Sequence, residues 1–424
     1  MPGREHHLIT AAAIALLPEW RQALLGAEKA NLIAEYCVYP DSYFDVAGPG
    51  HAKAAPYHFE TDGVQFHYLP DTPIVDKYRY WRVEGGKLAR TGKMDNLNWR
   101  HARNGFAYYL SRSVESLQAG RTKDALSFAG CLLHMLQDSC FALHSLEGPY
   151  GTDLFVLDRL FDCGDDLDKL PSDILAAAIP EAAATSPDYA PTSLGNCVEE
   201  AAFLLYSRYV ATVLEARKTS FQIVRNVHDD KDTVGLYRKM FHNAVKLSAD
   251  ALNTILALAE GRHERMGDVT LSDLEPVERP WGFPGPYRFV TMLRDKALNP
   301  AGKIVPLSLI VDGEPRTFAK GLSFGSHAEF SFVYELPAAV YGKFSCRIGI
   351  HADYLESGET ALTFLNNGEV VFTGTFNKGN PAQFVEIENP RGRFELSGTS
   401  PEAARCATAI VWAEPKLTPK KEET

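Results

Sequence analysis

Cys131-Leu132-Leu133-His134-Met135-Leu136-Gln137-Asp138-Ser139-Cys140-Phe141-Ala142-Leu143-His144 is the stretch that decides how this chain reads. His134 and Asp138 are four residues apart, so on a helix both side chains leave one face and can share a cation. His144 follows six residues later and needs the chain to bend before it can face the same cavity. Imidazole with carboxylate suits zinc or another borderline metal. The apolar neighbours lower the local dielectric and leave these polar groups in need of partners. Taken alone, the His-x3-Asp pair equally fits a core histidine beside a surface carboxylate, because so short a spacing recurs by chance.

Outward from that stretch, residues 1 to about 265 have helical periodicity. Residues 98–143 place apolar side chains at helical spacing, with Gly120 as the stop between two helices. Further helices are expected from about 197 to 218 and from about 236 to 260. Between Cys163 and Gly195 the composition turns to Asp, Ala, Pro and Ser, which predicts a long irregular loop with a short helix at 174–179 stopped by Pro180. Near the N-terminus, residues 8–17 are apolar but follow Glu5, His6 and His7 instead of a basic region. Pro18-Glu19-Trp20 makes a poor cleavage site, so the run predicts an amphipathic first helix and a cytoplasmic chain as written.

The composition changes at Glu275, where Pro276, Pro280, Pro284 and Pro286 predict a stiff linker. Beyond it Phe330, Phe332 and Tyr334 alternate with Ser331 and Val333. Asn366-Asn367-Gly368 separates two short β-forming runs as a hairpin turn would. The expected fold class is therefore multidomain α and β. A mainly helical domain spans 1–268, a Pro-rich linker 269–289, an antiparallel β-sandwich 290–416, and a charged disordered tail 417–424.

Bulk properties bound the function. The chain has 424 residues, 45% apolar and 23% charged, as expected of two soluble domains. A net charge of −11 argues against a surface that tracks long nucleic acid, while an acidic field helps collect divalent cations. The seven cysteines are scattered without paired spacing and read as buried free thiols. No apolar run reaches the length of a membrane span.

The motifs around His134 resemble the zinc-dependent phospholipase C and single-strand nuclease superfamily, in which a helix ends in G-x3-H-x3-D-x3-P-x-H. Gly130, His134, Asp138 and His144 stand in that register, with Ala142 in place of the proline. His6-His7-Leu8-Ile9-Thr10 looks like the family's opening, whose first histidine is a ligand. Tyr39-Pro40-Asp41 matches a Y-P-D run whose aspartate binds metal. Pro56-Tyr57-His58-Phe59 resembles the histidine ligand that follows, with His67 as a competing candidate. Gly195-Asn196-Cys197-Val198-Glu199-Glu200 resembles the closing G-H-x3-E but has Asn196 where the family has histidine. An amide oxygen is a weak zinc ligand, which puts the centre of His144 and Glu200 in doubt. The family also uses a processed N-terminal tryptophan, which the opening Met1-Pro2-Gly3 lacks as written.

The resemblance implies metal ligands at His6, Asp41, His58, His134, Asp138, His144 and Glu200. Asp138 would bridge two ions and His6 would hold the second. It further implies zinc and the hydrolysis of a phosphodiester in a lipid head group or nucleotide. Asp41 would be a ligand, or would orient or deprotonate the attacking water. The alternative is a degenerate member that keeps a structural metal and acts by binding.

Residues 290–416 resemble the novel carbohydrate-binding module family of β-sandwiches. The resemblance runs through Pro306-Leu307-Ser308-Leu309, Phe318 to Leu322, Gly325-Ser326-His327, Val333 to Leu336, Phe344 to Ile350 and Ala409 to Ala413. It implies a glycan partner. Trp412 and His327 are expected as core and turn positions, not as sugar contacts.

Overall fold

The computed structural model describes residues 3–39, 81–84, 87–90, 99–141, 187–229, 231–261, 266–277, 292–325, 328–354, 358–377, 380–400 and 408–420. The expected helix at 174–179 and the prolines at 280, 284 and 286 lie outside these residues. The chain divides into two compact units, Met1–Arg265 and Met266–Thr424.

The first unit is built on helices α1 (Gly3–Ala15), α2 (Glu28–Ala34), α3 (Trp99–Gln118), α4 (Thr122–Ser139), α5 (Val198–His228) and α6 (Val234–Glu260). A short antiparallel pair, Trp81–Glu84 with Lys87–Arg90, is its only sheet among the described residues. Gly120 ends α3 as expected. Its φ of 74° lets its N–H reach the Leu117 carbonyl while Arg121 N–H bonds Ser116, a pattern that closes the last turn.

Helix α4 is the centre of the unit. Ala125, Leu126, Ala129, Cys131, Leu132, Leu133 and Leu136 are all fully buried, and His134, Gln137 and Asp138 on the remaining face are buried too, so the helix is surrounded. It packs on α1, α3, α6 and the 3-10 turn Tyr36–Val38. Gly130 makes the last of these contacts possible. A Cβ there would sit 2.5 Å from the Tyr36 carbonyl carbon and 2.6 Å from its Cβ, well inside van der Waals contact.

Helix α5 runs past residue 218, where the sequence spacing stops, because Thr219 and Ile223 carry its buried face onward. Asp250 of α6 pins the strip before α5. It accepts from Tyr189 Oη at 2.7 Å, from Thr192 N at 2.8 Å, and from Arg208. Burial is the largest influence on its carboxyl and raises the pKa, against the lowering effect of Arg208.

The second unit is an antiparallel sandwich. One sheet orders Ala328–Leu336, Gly392–Ser400, Thr360–Asn366 and Glu369–Phe376. The other orders Gln383–Glu388, Tyr341–Ile350, Ala409–Pro419, Gly321–Gly325 and Leu293–Arg294, with Val269–Thr270 added to the Ala409–Pro419 strand. Their inner faces interlock through aromatic rings. Phe344 meets Phe394 at 4.9 Å, and Trp412 meets Phe332 at 5.7 Å. Asn367-Gly368 forms the expected two-residue turn, both at positive φ.

Two stretches read as linker and tail have structure. Residues 269–274 supply a strand and a 3-10 turn because Val269, Leu271 and Leu274 are buried. Leu417 is fully buried between Lys416 and Thr418, so the strand's alternation of faces continues into a segment whose composition looks disordered. Trp412 is a core residue, as expected.

Candidate metal centre

Three of the seven expected ligands meet. His6 from α1, and His134 and Asp138 from α4, each offer an atom within 4.8 Å of the others, and all three are buried. His134 Nε2 lies 3.2 Å from Asp138 Oδ2, one helical turn on, and His6 Nε2 lies 3.4 Å from Oδ1. The two imidazoles stack, with centroids 3.9 Å apart and planes at 20°.

Each ring is held through its other nitrogen. His134 Nδ1 is 2.8 Å from the Cys37 carbonyl oxygen, which can only accept, so this nitrogen carries the proton. His6 Nδ1 is 2.7 Å from Gln137 Oε1. Gln137 is oriented by donating its amide nitrogen to Thr10 Oγ1 at 3.0 Å and Ser248 Oγ at 3.3 Å. With both Nδ1 atoms directed to acceptors, each Nε2 faces the Asp138 carboxylate, and a cation could be held among the three groups. Two imidazolium rings stacked this closely would repel, and one shared cation is an arrangement that serves both rings and the carboxylate. The donor set of two imidazole nitrogens and a carboxylate, gathered within 4.8 Å, is of the kind that holds zinc.

His7, the neighbour of His6, turns the other way, and its Nδ1 meets the Ile33 carbonyl oxygen at 2.6 Å. The sequence left the pair undivided except by order. Glu5, on the preceding residue, is buried, and burial raises its carboxyl pKa.

Glu200 is not in the cluster. It is fully buried at the start of α5, where Oε2 accepts from Asn196 N at 2.7 Å and Asn196 Nδ2 at 2.8 Å. The amide standing where a histidine was expected thus donates to the carboxylate. Asp41, His58, His67 and His144 lie outside the described residues. Gln137, Thr10, Ser248 and the Cys37 carbonyl are parts of the site that motif reading missed. Gln137 had a signal, as an amide on a helix otherwise buried all round; the other three had none.

No protein-family model matches the chain, and no curated protein matches it. Among solved structures it is similar to alpha toxin from Clostridium absonum, at 9% identity over 99% of this chain and 95% of that one, with TM-score 0.35. It is also similar to tandem CBM51 modules of a family 98 glycoside hydrolase from Streptococcus pneumoniae, at 24% identity over 36% of this chain and 47% of that one, TM-score 0.31. A third is a CBM51 module from Clostridium perfringens in complex with methyl-galactose, at 18% identity over 36% of this chain and 99% of that one, TM-score 0.28. The match thus spans about half of the streptococcal chain.

Proposed function

We propose that the helical unit is a metal-dependent hydrolase of phosphodiester bonds, of phospholipase C or nuclease type, and that the β unit binds glycan. The observation that carries the first part is the pair of stacked imidazoles. Each is tied at Nδ1 and turns Nε2 toward its own oxygen of one buried carboxylate. His6, His134 and Asp138 would hold the metal. Asp41, His58 or His67, and His144 are proposed as the remaining ligands, with Glu200 for a further ion. Bound there, zinc would supply a water acidified toward neutral pH and would neutralise charge developing on the phosphoryl oxygens. The chain's own contribution is to hold the rings in one tautomer and to exclude bulk water from the donors, with Asp41 proposed to orient the water or take its proton.

One observation favours a second reading, a binding protein with a structural metal. Glu200, proposed for a further ion, already accepts two Asn196 N–H groups at its Oε2. Elemental analysis of the full chain separates the two, followed by turnover of bis(p-nitrophenyl) phosphate with and without chelator. More than one zinc per chain with chelator-sensitive turnover supports the hydrolase. A single zinc without turnover supports the second reading. No zinc in the wild type, and no change on His134→Ala or Asp138→Ala, rejects both.

For the β unit, support comes from the sandwich itself and from Phe384 on the edge strand Gln383–Glu388. This ring is 57% exposed, with the Arg347 guanidinium 5.4 Å from its centroid. An exposed aromatic ring with a cationic donor over it suits a sugar ligand. A glycan array probed with wild type and Phe384→Ala tests it, and no binding by the wild type rejects it.

A further inference from the structure

Gln137 is fully buried on α4, among Leu132, Leu133 and Leu136, yet it is an amide. An apolar side chain of similar size would fill the space without the cost of removing a polar group from water. The amide instead uses its oxygen and nitrogen together. Oε1 takes His6 Nδ1 at 2.7 Å, and Nε2 serves Thr10 Oγ1 at 3.0 Å and Ser248 Oγ at 3.3 Å. Thr10 and Ser248 are themselves fully buried. The bonds join α1, α4 and α6, so three helices together hold the His6 ring.

We propose that Gln137 is a positioning residue for the metal centre. It holds His6 as the Nδ1–H tautomer and aims the Nε2 lone pair at the position between the rings and Asp138. This rests on the metal-centre reading above. The partner chosen on each ring is informative. Gln137 Oε1 and the Cys37 carbonyl are both neutral acceptors, whereas a carboxylate in either place would add negative charge and make the imidazole more basic. Neutral partners fix the rings while leaving a bound cation more electrophilic, which suits polarising a water or a phosphoryl oxygen.

The test is titration of the chelator-stripped full chain with Co2+, read by its visible absorption band, alongside thermal unfolding of the metal-free protein. Gln137→Leu is expected to weaken the Co2+ Kd by about 10–100-fold and to alter the band. Gln137→Glu keeps an acceptor for His6 Nδ1 and is expected to bind as tightly as wild type or more so. Thr10→Val and Ser248→Ala leave Gln137 in place but loosen it, and each is expected to weaken Kd a few-fold; they decide the matter if Gln137→Leu does not fold. A Kd unchanged in these variants, with only the unfolding temperature lowered, overturns the positioning role alone. Absence of any wild-type cobalt band that depends on His134 and Asp138 overturns the metal centre and this inference with it.

Discussion

His134 donates its Nδ1–H to the Cys37 carbonyl oxygen, 2.8 Å away across 97 residues of sequence. That bond exists because Gly130, one turn earlier on the same helix, lets the Tyr36 backbone approach α4 more closely than any side chain would allow. Gly130→Ala is expected to push the Tyr36–Val38 turn outward, destabilising the fold by about 1–3 kcal/mol through overpacking. The same displacement removes the acceptor from His134. Urea unfolding and a Zn2+ titration should therefore both move, whereas a purely helical effect of Ala would raise stability slightly.

Asp138 faces both histidines, so its removal is expected to do more than delete one ligand. Asp138→Asn keeps the shape but takes away the negative charge that a cation between the rings requires. Metal content by elemental analysis should fall to the level of His134→Ala. For the wild type, saturating zinc at about a thousand times Kd should stabilise the chain by about 4 kcal/mol relative to chelated protein. The rise in unfolding temperature on adding zinc should vanish in both variants.

Asp250 provides a pH signature away from the centre. Its folded-state pKa is raised, first by burial, so the folded chain holds this proton more tightly than the unfolded chain does. The stabilising contribution is fully present below the ordinary aspartate pKa and is lost as pH rises through the raised value. The stability of wild type minus that of Asp250→Asn, measured by urea unfolding, should therefore decline as pH rises above the ordinary aspartate range and then level. A difference that grows with pH across the acid range would contradict the direction of the shift.

Trp412 is fully buried, and its ring meets Phe330 and Phe332 edge to face across the sandwich. Trp412→Ala is expected to cost about 3–5 kcal/mol in the second unit, the usual range for a large aromatic cavity. Glycan binding by this variant, at a temperature where the unit remains folded, should match wild type, because the ring is inside the core and not at a ligand surface.

The helix of His134 and Asp138, the stop at Gly120, the hairpin at Asn367-Gly368 and the change from helical to strand spacing were all legible along the chain. These are local properties: periodicity, a turn residue, and two side chains one helical turn apart. The sequence also put His6 forward, through resemblance. Tertiary structure alone decided that His6, not His7, faces Asp138, and that Glu200 takes the Asn196 amide. It also put Gln137, Thr10, Ser248 and a main-chain carbonyl behind the two rings. It drew 269–274 and Leu417 into the sandwich against their composition. Those outcomes depend on which groups a buried donor meets after helices and strands have packed, across separations that spacing along the chain does not encode. A backbone carbonyl carries no sequence signal at all, yet one of them fixes the tautomer of His134.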